Sequence, residues 1–192
     1  MVGIHIIMYV IIILCPMKRK KETVPAIIFA CNEGGHFSQL LALSPLFSKY
    51  KSILVTDNAR ANKDIAALKD IFTIEYAMGF ADRRKELIKS NKKISRIDYL
   101  KGYIKLLIES YTICRKYKPK VIISTGSNIA VSLFLWGKLM GSKVVYIETR
   151  AKVYTKTVTG KLVERFADKI YVQWPEMVKV YNGKAEFFGT LI

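Results

Sequence analysis

The stretch that decides the fold runs Ala26-Ile27-Ile28-Phe29-Ala30-Cys31-Asn32-Glu33-Gly34-Gly35-His36 (AIIFACNEGGH). Its apolar run, residues 26–31, is too short for a core helix and suits a strand buried on both faces. The polar pair and the double glycine end that strand, and residues 36–50 then predict a helix opening at His36. A strand that turns tightly into a helix is the first half of a βαβ unit. In such units the carboxyl ends of the strands face the ligand.

Outward from there the same rhythm continues. Residues 52–56 (SILVT) read as a second strand, 62–70 as an Ala-rich helical stretch, and 71–76 as a weaker third strand. Residues 121–125 (VIIST) and 143–148 (KVVYIE) are strong strands, and 168–172 and 186–188 are further candidates. Between them, residues 99–117 carry Leu100, Tyr103, Ile104, Leu107, Ile108, Tyr111 and Cys114. That spacing predicts a helix whose stripe faces the core. The fold class is therefore α/β: a Rossmann-like parallel sheet with helices on both faces.

The chain has 192 residues, enough for one domain with a core. Its charge is the outlier, with 32 Lys plus Arg against 15 Asp plus Glu, a net +17. Such a surplus calls for an anionic partner: nucleic acid, acidic lipid headgroups or a phosphorylated substrate. Cys15, Cys31 and Cys114 are an odd, widely spaced set, which argues against a disulfide framework and a zinc site and for reduced, mostly buried thiols.

Residues 1–17 are almost wholly apolar and precede Lys18-Arg19-Lys20-Lys21. About 16 helical residues reach ~24 Å against a hydrocarbon core of ~30 Å, the lower limit for a spanning helix. No cation precedes the run and no small-residue cleavage site follows, so it does not read as a secretory signal. The basic cluster on its carboxyl side places the remainder in the cytoplasm. A start at Met17 (MKRKKETVPAIIF) is the alternative. The division is thus an apolar membrane anchor at 1–17, a basic linker at 18–25, and the Rossmann-like domain at 26–192.

Candidate chemistry falls just after the strands. At Asn32-Glu33-Gly34-Gly35-His36 the glycines permit a tight turn and a close ligand approach, and the free amides of the first helical turn favour an anion such as a diphosphate. The G-x-G-x-x-G dinucleotide spacing is absent. A histidine at a helix amino terminus tends to be neutral, the form a general base needs, although a bound diphosphate pulls the other way. The second group is Ser124-Thr125-Gly126-Ser127-Asn128, able to cap a helix or to bind ligand hydroxyls. The third is Glu148-Thr149-Arg150, with Lys152, Lys156, Thr157, Thr159, Gly160 and Lys161 close by, either a salt-bridge cluster or a carboxylate beside phosphate-neutralising cations. The fourth is the basic run from Arg83 to Lys105, with Leu87, Ile88, Ile94, Ile97 and Leu100 interleaved. It reads as a solvated helix face or as a segment lying on an anionic membrane.

The order GGH, KPKVIISTGSNIAV, KLMGSKVVYIETRAKV and TGKLVERFADKIYVQWPE resembles the PssD type of bacterial polysaccharide-biosynthesis protein. It is also similar to the membrane-anchoring subunit of the eukaryotic dolichol-linked N-acetylglucosaminyltransferase. The resemblance covers nearly everything from Ala26 onward. A more distant similarity runs to the N-terminal (acceptor) half of the peptidoglycan N-acetylglucosaminyltransferase, a GT-B enzyme.

The resemblance implies an acceptor-binding, membrane-anchoring subunit of an inverting glycosyltransferase. It would act on a polyprenyl-diphosphate-linked saccharide in capsule or exopolysaccharide synthesis, with a UDP-sugar held mainly by a separate donor-binding subunit. His36 and Glu148 are then the catalytic candidates. Asn32, Gly34, Gly35, Gly126, Ser127, Asn128, Arg150, Thr159 and Gly160 are the acceptor and phosphate candidates. No cofactor is expected, and no Asp-x-Asp metal site is present. Glu33 departs from the family loop, which often has a small residue before the double glycine. Two other readings compete: a basic nucleic-acid binder, which lacks a recognised reading helix or aromatic platform, and an oxidoreductase, which lacks its dinucleotide loop.

Overall fold

Alternation along the first strand sorts its side chains between two cores. The computed structural model describes residues 24–32, 34–57, 68–77 and 95–191. In β1 (Ala26–Ala30), Ile27 and Phe29 point to one side with Leu40, Phe47 and Phe72, while Ile28 and Ala30 point to the other with Leu106, Ile113 and Leu133. All are buried, as a central strand covered on both faces requires.

Six further strands follow: β2 (Lys51–Thr56), β3 (Thr73–Tyr76), β4 (Val121–Ser124), β5 (Lys143–Ile147), β6 (Lys169–Val172) and β7 (Glu186–Phe187). They form one sheet in the order β3-β2-β1-β4-β5-β6-β7, and every pairing is parallel. The strand order reverses between β1 and β4, so the crevice beyond their carboxyl ends is the switch point where ligands bind in this class. The expected strands are all present, with ends moved by one or two residues. The stretch at 62–70 and the basic run before residue 95 lie largely outside the described residues, as do the apolar leader and Glu33.

The described helices are α1 (Gly35–Leu41), α2 (Arg96–Tyr117), α3 (Asn128–Leu139), α4 (Val158–Val163) and α5 (Glu176–Val180). Two expectations need correcting. The helix expected over 36–50 stops at Leu41 and gives way to a 3-10 turn over Ser44–Leu46. Pro45 is the reason: it has no amide to continue the ladder.

The second correction concerns α2. Its amino end is fixed by a capping box, with Asp98 N donating to Ser95 Oγ at 3.2 Å and Ser95 N to Asp98 Oδ2 at 3.0 Å. Most of the stripe expected to face the core instead faces outward: Leu100, Tyr103, Ile104 and Ile108 are exposed, Leu107 and Tyr111 are half-buried, and Cys114 alone of the seven is buried. The buried face is Gly102, Leu106, Ser110, Ile113 and Cys114. Small residues are needed there because α3 packs closely, joined by the Ser110 and Ser132 hydroxyls at 2.7 Å. Trp136 Nε1 donates to the Leu107 carbonyl at 2.9 Å across the same seam. Cys31 and Cys114 are buried free thiols, and burial pushes both up, Cys114 to about 12.

Candidate functional site

The two turns at the switch point are tied to each other through His36. Gly34 caps α1 at φ 83°, a conformation that favours glycine, and the first intrahelical bond runs from Ser38 N to the Gly34 carbonyl at 3.1 Å. The His36 ring then lies across the chain just after β4. Its Nδ1 is 2.8 Å from the Thr125 carbonyl, and Thr125 Oγ1 donates to the His36 carbonyl at 2.7 Å. A carbonyl only accepts, so Nδ1 carries a proton, and in the neutral tautomer that this selects, Nε2 is the acceptor.

Gly126 makes this seat possible. A Cβ there would stand 2.6 Å from His36 Cε1 and 2.8 Å from Nδ1, and its φ of 110° also favours glycine. One residue on, Ser127 Oγ donates to Asn32 Oδ1 and accepts from Ile129 N at 3.1 Å, so a single hydroxyl caps α3 and joins the β1 and β4 turns. Thr159 Oγ1 donates to the Ser127 carbonyl at 3.2 Å. Together Asn32, His36, Gly126, Ser127, Asn128, Tyr146, Thr157 and Thr159 line a cleft of about 310 Å³. Asn128 Oδ1 is buried there without a hydrogen-bond partner.

Glu148 sits differently. Its side chain is fully buried. Oε1 accepts from Tyr146 Oη at 3.1 Å and Thr149 N at 2.9 Å. Oε2 accepts from Thr157 N at 3.2 Å, Thr157 Oγ1 at 3.1 Å and Tyr181 Oη at 2.6 Å. Burial pushes the Tyr146 and Tyr181 hydroxyls far up, and the Glu148 charge adds to the effect, so both remain donors at neutral pH. The carboxylate thus holds the turn that carries Thr157 and Thr159 against the end of β5.

Gly160 belongs to that packing rather than to the cleft wall. A Cβ would come within 2.1 Å of Tyr181 Oη and 2.5 Å of Glu148 Oε2. Gly34 and Gly35 are the opposite case, with open space on their free side. Arg150 is exposed and outside the lining set, while its backbone enters a buried amide network. Gln39 Oε1 accepts from Gln173 Nε2 at 2.5 Å and Arg150 N at 3.4 Å, and Gln173 Nε2 also donates to the Glu148 carbonyl at 3.0 Å.

Most of the candidate residues therefore converge on one cleft: Asn32, His36, Gly126, Ser127, Asn128 and Thr159. Tyr146 and Thr157 were missed as cleft-lining residues. Tyr146 lies mid-strand, where sequence shows only an apolar run, and Thr157 stands in sequence only among the residues close to Glu148. Among the described residues no group of His, Cys, Asp and Glu is arranged to hold a metal ion.

The family profile described as "Oligosaccharide biosynthesis protein Alg14 like" matches residues 27–191. Among curated relatives, the UDP-N-acetylglucosamine transferase subunit ALG14 of Yarrowia lipolytica is 23% identical over 185 residues, covering 91% of this chain and 84% of that one. Of solved structures, MurG of Acinetobacter baumannii superposes with a TM-score of 0.57 at 15% identity, covering 79% of this chain. UDP-N-acetylglucosamine 2-epimerase of Rickettsia bellii gives 0.61 at 12%, covering 88%. This chain spans only 42% and 46% of those two solved chains. The fold is Rossmann-like α/β of the GT-B type, and the protein is a glycosyltransferase subunit. It belongs to the Alg14-like family of oligosaccharide-biosynthesis proteins.

Proposed function

We propose that this chain is the acceptor-binding, membrane-anchoring subunit of a two-component inverting glycosyltransferase. It presents a polyprenyl-diphosphate-linked saccharide to a UDP-sugar held mainly by a separate donor-binding subunit, at the cytoplasmic face of the membrane, in capsule or exopolysaccharide synthesis. Residues 1–17 serve as the anchor and 18–25 as its basic linker. The observation that carries the reading is His36, whose Nδ1 is committed to the Thr125 carbonyl while its ring lines the cleft at the switch point.

In this reading Nε2 takes the proton from the acceptor hydroxyl as that oxygen attacks the sugar's anomeric carbon and the nucleoside diphosphate departs. The amides of Gly35, His36 and Phe37 at the start of α1 face the acceptor diphosphate. Asn32, Ser127, Asn128 and Thr159 orient the saccharide. Glu148, a sequence candidate for the base, acts as a positioning residue, since both its oxygens are occupied by buried donors. Arg150 and Gly160 hold backbone geometry.

The test is a reconstituted pair of subunits assayed with UDP-N-acetylglucosamine and a prenyl-diphosphate sugar. His36→Ala is expected to lower kcat by about 10²–10⁴ with a small change in KM. Glu148→Gln is expected to lower stability by about 1–3 kcal/mol through mismatched buried donors. An unchanged kcat in His36→Ala, or a stable Glu148→Gln that has lost only kcat, would reverse the two roles.

A further inference from the structure

We infer that Gln173 is a positioning residue for transfer: through Gln39 it fixes the rotation of α1, and so the aim of the His36 ring. The inference rests on the acceptor-binding reading and deepens it by naming what holds the base in place.

α1 needs such a support. It has only seven residues, Gly35–Leu41, and no side chain caps its amino end. A helix this short is marginal by itself. Phe37 and Leu40 anchor it in the core, but apolar contacts are non-directional and leave a short helix free to roll about its axis. Hydrogen bonds weaken steeply with angle and resist that roll. The bonds of His36 with Thr125 supply one point of attachment. Gln39, one helical turn on, supplies the second.

The polarity of this second attachment is fixed. Gln39 and Gln173 are 5% and 2% exposed. Leu191 N can only donate, and it lies 3.0 Å from Gln173 Oε1. The Glu148 carbonyl can only accept, and it lies 3.0 Å from Gln173 Nε2. Nε2 therefore also donates to Gln39 Oε1 at 2.5 Å, the oxygen that takes Arg150 N at 3.4 Å. Residue 173 must accept with one atom and donate with the other. A glutamate would only accept at neutral pH, a lysine would only donate, and a leucine would do neither. Trp174, next in the chain, donates from Nε1 to the Arg150 carbonyl at 2.7 Å. Gln173 and Trp174 thus grip the turn after β5 at Glu148 and Arg150, while Gln39 ties α1 to the same turn. Glu148 in that turn holds Thr157, whose neighbourhood forms the other wall of the cleft. Gln173 therefore sets His36 and the Thr157–Thr159 wall in one frame.

The test uses the full chain, joined by its partner subunit for transfer, and the variants Gln173→Leu and Gln39→Leu. The first readout is the His36 tautomer, taken from nitrogen-15 histidine spectra at about pH 8, where the ring is neutral. The His36 signal is the one lost in His36→Ala. Wild type is expected to show the Nδ1–H form that the Thr125 carbonyl selects, and both variants to shift toward the Nε2–H form that an unheld imidazole prefers. Ile113→Val, a core change on the opposite face of the sheet, should keep Nδ1–H. The second readout is kcat. Each glutamine variant is expected to lose about tenfold with little change in KM, and that loss should vanish in a His36→Ala background. Gln39→Leu leaves Gln173 its bonds to Glu148 and Leu191, so it carries the test if Gln173→Leu does not fold. The same tautomer in wild type and variants, or an equal loss with and without His36, would overturn the inference and assign the network to the fold alone. Wild-type transfer by His36→Ala would instead sink the base assignment, and the tautomer spectra would still decide whether Gln173 aims the ring.

Discussion

At the scale of single residues, His36 is held by two neighbours that do different jobs. Thr125 fixes the tautomer through its carbonyl and the backbone through its hydroxyl, and Gly126 leaves the space in which the ring lies. Gly126→Ala should therefore act as a displaced-histidine variant. Transfer is expected to fall about 10²-fold from a shift of roughly 1 Å, and stability by about 1–3 kcal/mol. Kinetics beside denaturant unfolding check this, and wild-type transfer in the variant would show that the ring's seat does not matter. Sequence made His36 and Gly126 visible because both lie in short polar turns after apolar runs. It did not reveal that they touch, since they are 90 positions apart and only the strand order brings β1 beside β4. Glu148 was equally visible, but its burial was not. A carboxylate at a strand's end looks the same in sequence whether it faces a ligand or Tyr146, Thr157 and Tyr181.

At the scale of elements, strands were easier to read than helices. Runs such as VIIST and KVVYIE carry their own evidence, because a parallel strand buried on both faces has to be continuously apolar. The helix α1 lost its second half to Pro45, a signal present in the sequence and outweighed there by the apolar period. α2 failed for a subtler reason. Hydrophobic periodicity finds the more apolar face, yet the buried face sets Gly102, Ser110 and Cys114 among Leu106 and Ile113, and Ser110 and Cys114 meet α3 directly. An element-scale prediction concerns Asp168, which joins the end of α3 to the strands through Lys138 at 2.7 Å, Lys143 at 3.3 Å and Val144 N at 2.9 Å. Burial alone would raise its pKa, but those three partners outweigh it and hold the carboxyl below the usual range. A lowered folded pKa means stability that is full above the unfolded value of about 3.9 and is lost as pH falls through the folded one. Asp168→Asn should be less stable than wild type at neutral pH, with the gap closing below about pH 4. A gap that is constant with pH would mean the carboxylate's charge contributes nothing.

At the scale of the whole molecule, the account depends on a division of labour. The described residues form one parallel sheet with one cleft at its switch point, and the chain spans less than half of the solved GT-B-type chains it superposes on. Among the described residues, no helix is long and apolar enough to cross a membrane. The proposed reading gives contact with a lipid-linked acceptor to residues 1–17. The family was legible from the motifs at the strand ends, because those turns carry the site. The outward turn of most of α2's apolar stripe was not, because it depends on which side of a helix the sheet leaves uncovered. The division of labour is tested most directly by measuring sugar transfer from labelled UDP-N-acetylglucosamine to a prenyl-diphosphate sugar by this chain alone, by the donor-binding subunit alone, and by the two together. The expected result is transfer only by the pair; transfer by this chain alone at the pair's rate would contradict the account.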